Sequence, residues 1–254
     1  MPPLMPDLDQ IQWGVLILCA FLTGLTKSGI PGLGILTVTL MAATLPAMAS
    51  TGVLLPMLIM ADVFAVVAYR HAVEWSHLKR ILPWTIGGVL AGFGLMHLAR
   101  GWGDVQFRRF IGWVVLFMLG LDLWRRRRKE EDLGIPTQWW FAASLGILAG
   151  VTTMMANAAG AVVIIYLTAM RLPKKRFVGT RAWFFFLVNC FKVPFSSSLG
   201  LIDKETLTLN ATLFPAILLG GILGIRVVQR IPQRRFSQLV LLLAWLSAIR
   251  LLLS

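Results

Sequence analysis

Ten apolar runs separated by short polar or charged connections dominate this chain and leave little choice of fold. They cover residues 11–26, 33–45, 49–69, 78–99, 110–124, 139–153, 158–170, 182–197, 207–228 and 236–253. A helix that crosses a bilayer needs about 20 mostly apolar residues. None of the runs shows the strict alternation of a lipid-spanning barrel. With 57% hydrophobic and 14% charged residues, the chain departs from soluble domains, which carry about 25% charged residues. The expected fold is an all-α integral membrane protein with 8–10 transmembrane segments.

The net charge of +13 does not point to nucleic acid, because the basic residues lie between apolar runs, where cytoplasmic loops hold them. The block Arg125-Arg126-Arg127-Arg128-Lys129-Glu130-Glu131-Asp132 divides the chain. It marks a first membrane unit over 1–124, a charged linker over 125–138 and a second membrane unit over 139–254. With the linker cytoplasmic, eighteen of the 24 Lys and Arg fall on cytoplasmic connections. The N-terminal stretch, with Asp7 and Asp9, then lies outside. It lacks a basic n-region, so the first run is expected to be retained as a span. Cys19 and Cys190 sit within apolar runs and are expected to be buried free thiols. No metal-ligand spacing, nucleotide-binding loop or cofactor motif occurs.

The two units resemble each other. Gly24-Leu25-Thr26 aligns with Gly150-Val151-Thr152, and Gly34 with Gly160. One residue out of register, Pro46 matches Pro173, Gly52 matches Gly179 and Asp62 matches Asn189. Pro83, Gly88 and Gly92 echo Pro215, Gly220 and Gly224. An odd number of crossings per unit makes the copies inverted, a recurring plan for secondary transporters. The first two runs of each unit are short. They either cross in turn, giving five crossings per unit, or form a hairpin that dips in and returns, leaving three, or make one broken span, in which case the repeats become parallel.

Both units are interrupted after their first run. Gly24-Leu25-Thr26-Lys27-Ser28-Gly29-Ile30-Pro31-Gly32-Leu33-Gly34 cannot continue a helix cheaply. Its counterpart is Gly150-Val151-Thr152-Thr153-Met154-Met155-Ala156-Asn157-Ala158-Ala159-Gly160. A broken helix frees N–H groups and presents the positive end of the next half-helix. An anion can be held there by backbone N–H groups and hydroxyls. This makes Thr26, Lys27, Ser28, Gly29, Gly32, Thr152, Thr153 and Asn157 candidate substrate ligands. The plainer alternative is a tight turn of small residues.

Charged and polar groups inside membrane helices form the second candidate set. Asp62 lies within an apolar run, and Asn189 and Lys192 lie in the matching run, one turn apart. An intramembrane charge is functional by default. Asp62 is expected either to pair with Lys192 or to take up a coupling proton. Arg181 and Lys192 can supply positive charge to an anion path, although Arg181 also fits the positive-inside pattern. Thr180 joins this set. His71, His77 and Trp75 read as interface anchors, and Trp183-Phe184-Phe185-Phe186 as lipid-facing or packing aromatics.

At these residues the chain resembles the TauE/SafE family of sulfite exporters, transporters of sulfur-containing anions. In the first unit the likeness rests on Gly24 through Gly34, Leu55-Pro56 through Asp62, and Tyr69-Arg70-His71 with Trp75 and Pro83. In the second it rests on Phe177-Val178-Gly179-Thr180-Arg181, Asn189 and Lys192-Val193-Pro194. Family members often carry a glycine run where this chain has Ile30-Pro31-Gly32-Leu33-Gly34. The resemblance implies a multi-pass bacterial inner-membrane permease for sulfite, a sulfonate or a related anion. The expected partners are that anion, the bilayer, a coupling proton or sodium ion and a second copy of the chain, with no nucleic acid and no cofactor. The competing readings are an anion channel and an intramembrane enzyme built on Asp62, His71 and His97.

Overall fold

A computed structural model describes residues 8–26, 33–127, 138–226 and 233–253. They form ten α-helices: α1 (Gln10–Thr26), α2 (Leu33–Thr44), α3 (Ala47–Tyr69), α4 (Trp75–Leu98), α5 (Asp104–Arg127), α6 (Trp139–Ala156), α7 (Gly160–Ala169), α8 (Lys174–Ser198), α9 (Lys204–Arg226) and α10 (Gln233–Leu253). A short 3-10 turn, Ala99–Gly101, follows α4. Among the described residues there is no strand.

Each apolar run has become one helix. Some ends differ from expectation. Helix α8 begins eight residues before the apolar run, at Lys174, and α5 begins six residues early, at Asp104. Apolar periodicity cannot see such extensions, because Lys and Arg are good helix formers whose aliphatic stems lie along apolar surface. The true start signal at α8 is Pro173, with φ −54° and ψ 144°, and at α3 it is Pro46, with φ −51° and ψ 129°. Hydroxyls inside the helices bond back to carbonyls of the preceding turn, as Thr23 does to Cys19 O at 2.8 Å and Thr85 to Ile81 O at 3.1 Å. The hydroxyl hydrogens of these two residues are thereby satisfied within their own helix.

The two short pairs are hairpins. Gln12 Nε2, at the start of α1, donates to Thr44 O at the end of α2. Phe141, at the start of α6, stacks on Tyr166 near the end of α7, with ring centroids 6.3 Å apart. This geometry selects the hairpin over a single broken span.

Each hairpin packs its longer arm against the opposite half of the chain. Helix α1 lies along α9, and α6 lies along α4. Glycines permit this approach at matching places. A Cβ on Gly24 would stand 2.2 Å from Ile217 O, and one on Gly220 2.1 Å from Phe21 O. Across α4 and α6, a Cβ on Gly150 would stand 2.2 Å from Thr85 O, and one on Gly88 2.3 Å from Ile147 O. Backbone therefore touches backbone at both crossings, the contact that small residues provide in membrane helices.

Four helices are long and apolar enough to cross a bilayer: Ala47–Tyr69, Trp75–Gly101, Trp139–Ala156 and Lys204–Gly224. Large apolar side chains cover the outside, Ile11, Leu98, Val67 and Trp113 among them. A surface of this kind belongs in lipid, and the chain is an all-α membrane protein. Cys19 is buried, but Cys190 is exposed, contrary to expectation. It occupies an outward position of α8, where a thiol behaves as a small apolar group.

Candidate functional site

Helix α6 ends at Asn157, which has φ 53° and ψ 28°. This left-handed conformation strains most residues, and Asn tolerates it better than others. Helix α7 restarts at Gly160. The Asn157 side chain then ties the break to two other helices. Its Nδ2 donates to Thr51 O on α3 at 2.9 Å, and its Oδ1 accepts from Lys192 Nζ on α8 at 2.6 Å. Lys192 also donates to Thr153 Oγ1 at 3.2 Å and is 1% exposed. A buried ammonium without such partners would be costly.

The break between α1 and α2 meets a cation from the other half of the chain. Arg181 Nη2 on α8 donates to Thr26 O at 3.1 Å, on a carbonyl that the end of α1 leaves unbonded within the helix. Thr26 Oγ1 donates to Thr23 O at 2.7 Å. Lys27, Ser28, Gly29 and Gly32, candidates from the sequence, lie outside the described residues.

The end of α1 and the start of α2, together with the end of α6 and the start of α7, border one cavity of about 80 Å³. A water needs roughly 10–15 Å³ on this scale, so a small polyatomic ion fits. Its polar lining is Thr26, Asp122, Thr153, Asn157, Arg181 and Asn189, and Ile35, Leu58, Ile164 and Phe185 supply apolar walls. Gly34 and Ile35 belong to the first turn of α2, and Gly160 and Ala161 to the first turn of α7. Two helix N-termini, each carrying a partial positive charge and unbonded N–H groups, therefore border the same space.

Five of the predicted residues, Thr26, Thr153, Asn157, Arg181 and Asn189, line this cavity. Two stand one bond behind it. Lys192 reaches it through Thr153 and Asn157, and Asp62 accepts from Asn189 Nδ2 at 2.8 Å. Lys192, expected to pair with Asp62, gives hydrogen bonds to Thr153 and Asn157. Two others sit elsewhere. The Thr152 hydroxyl bonds back to Leu148 O at 2.7 Å. Thr180 Oγ1 accepts the backbone N–H of Glu74, just before α4, at 2.9 Å. Both hydroxyls serve the scaffold.

Sequence reasoning does not single out several of the lining residues. Phe185, among the aromatics expected to face lipid or to pack, forms part of the cavity wall. Asp122 was absorbed into the end of an apolar run beside the basic linker. It is 3% exposed, lines the cavity and pairs with Arg125 at 2.8 Å. The rule that singles out Asp62, that an acid inside an apolar run is functional by default, applies equally to Asp122. Of the trio considered for an enzyme, His71 and His97 are exposed while Asp62 is buried.

A family model described as sulfite exporter TauE/SafE matches residues 16–251. No curated protein and no solved structure matches the chain.

Proposed function

This chain belongs to the TauE/SafE family of sulfite exporters, and from that premise we propose that it is a secondary transporter carrying a small sulfur-containing anion, sulfite or an organosulfonate, through the cavity between its two breaks. The observation that carries this reading is the meeting of two helix N-termini with Arg181 around one small space. Helix dipoles and N–H groups hold an anion without a full counter-charge. Binding of that kind is moderate, which suits a carrier that must release its cargo. Lys192 acts one bond away, keeping Asn157 and Thr153 in place.

The halves, in this reading, are inverted repeats that rock about the cavity to give alternating access. The reciprocal packing of α1 on α9 and of α6 on α4, each with facing glycines, supports it. So do the prolines that precede both α3 and α8. The basic linker lies in the cytoplasm and the N-terminus outside the cell membrane, as the Lys and Arg distribution favours.

The test is flux of radiolabelled sulfite into proteoliposomes holding the purified chain. Saturable flux that competes with unlabelled sulfonates is expected. Non-saturating, voltage-following current would indicate a channel, and absence of flux for every anion tried would sink the reading.

A further inference from the structure

Asn189 is 1% exposed and lines the cavity. Its Nδ2 donates to Asp62 Oδ2, while its Oδ1 accepts no hydrogen bond from the described residues. This orientation is the one an ionised Asp62 imposes, because a carboxylate can only accept. It is also a poor one for an anion, since Asp62 draws the nitrogen end of the amide toward itself and the unbonded oxygen is an acceptor, which an anion cannot use. A protonated Asp62 reverses the preference. Its O–H can donate to Asn189 Oδ1, and a half-turn of the amide, which hardly changes its shape, releases Nδ2 as a donor for the anion.

We propose that Asp62 and Asn189 form a proton-operated amide switch that couples each anion to one proton. This rests on the reading of the cavity as an anion site. The proton comes from the aqueous side to which the cavity is open and forms an O–H bond on Asp62. The amide turns and the anion binds. On the other side the anion leaves, Asp62 returns its proton to water, and Nδ2 goes back to the carboxylate. No other bond is made or broken.

The ionisable groups around Asp62 can be named helix by helix. On α8 they are Arg181, Lys192 and the Cys190 thiol, and on α5 they are Asp122 with its partner Arg125. Helix α1 contributes only Cys19, and α2 contributes none. Helix α9 carries Lys204, Glu205 and Arg226 at its ends, and α3 itself ends on Tyr69. Asp122 itself lines the cavity, whereas Asp62 stands behind Asn189, so the experiment has to separate the two acids.

Radiolabelled methanesulfonate is the probe, because it stays a monoanion across the working pH range and any pH effect then belongs to the protein. Proteoliposomes with an imposed pH gradient should accumulate it about tenfold per pH unit, the proton ratio of a one-to-one coupling. A potential set with potassium and valinomycin should leave that ratio unchanged. Asp62→Asn and Asn189→Leu should each flatten the pH profile of binding, Asn189→Gln should restore part of it, and Asp122→Asn should keep it. Saturable uptake that ignores the pH gradient would overturn the switch alone. So would a wild-type pH profile in Asn189→Leu, or a profile flattened by Asp122→Asn instead of Asp62→Asn. No uptake under any gradient would overturn the anion reading and the switch with it.

Discussion

The two breaks are held by different parts. At the second break, the chain reverses on Asn157 alone, and Lys192 from the same half clamps that residue. At the first break, the carbonyl end of α1 is met by Arg181 from the opposite half. One break thus carries its cation within its own half, and the other borrows one. The lesson is that similar sequences need not be held alike. The scaffold around both breaks is closely matched, while the groups that would meet an anion are not, and substrate choice can reside in that difference.

The largest expected effect tests the matched part. Gly24→Val and Gly150→Val would each drive a branched side chain into a carbonyl 2.2 Å from the first atom added. Overpacking commonly costs about 1–3 kcal/mol, and backbone contact here should bring both variants to the upper end or beyond. Equal losses of thermal stability in detergent would support equivalence of the crossings, and a tolerant site on one side would break it.

Next comes the clamp. Lys192→Met keeps volume but removes the charged donor to Asn157 and Thr153. Hydrogen bonds of charged groups are worth about 1.5–3 kcal/mol, so transport per folded molecule should fall by roughly 10–100-fold. Arg181→Gln should weaken apparent anion affinity by about tenfold, at the smaller end of the same range, because a polar group still reaches Thr26 O. Concentration-dependent flux of both variants measures the contrast, and a larger loss at Arg181 would reverse the ranking of the two breaks.

The smallest effects concern how the supporting helices begin. Helix α9, beside α1, starts on its own cap, with Asp203 Oδ1 accepting the Thr206 N–H at 2.7 Å and the Thr206 hydroxyl at 2.8 Å. Helix α4, beside α6, relies on Thr180 across the interface to accept the Glu74 N–H. Thr180→Ala should cost about 1 kcal/mol and lower transport only through stability. Asp203→Ala should also cost about 1 kcal/mol. The bonds to Thr206 hold the Asp203 carboxyl below its usual range. Its contribution is present above the ordinary carboxylate pKa and is lost as pH falls through the lowered value. The wild-type advantage over Asp203→Ala in melting temperature should therefore vanish in acid and persist at neutral pH.

Much of this was legible in the sequence because its signals are local. Apolar runs gave the helices, and clusters of glycine, proline and asparagine gave the breaks. Asn189 and Lys192 stood out as polar groups where apolar ones belong. Other features were not legible. The starts of α5 and α8 carry no apolar signal, and Asp122 was hidden beside a charged linker. The residues that line a cavity are chosen by which helices meet there. Thr152 and Thr153 are neighbours of one chemical type, yet the fold turns one hydroxyl to its own helix and the other to Lys192.

By itself the sequence determined that the chain is helical, belongs in a membrane and is broken once near the start of each half. Those follow from hydrophobic burial and backbone conformation, which act over a few residues. The tertiary structure decided that the short pairs are hairpins and that the end of α1, the start of α2, the end of α6 and the start of α7 border one cavity. It also decided that Arg181 serves the break of the other half while Lys192 serves its own. Those depend on contacts between residues far apart in the chain, from Lys192 with Asn157 at 35 positions to Arg181 with Thr26 at 155. No local pattern encodes such contacts, because they exist only once the helices have packed.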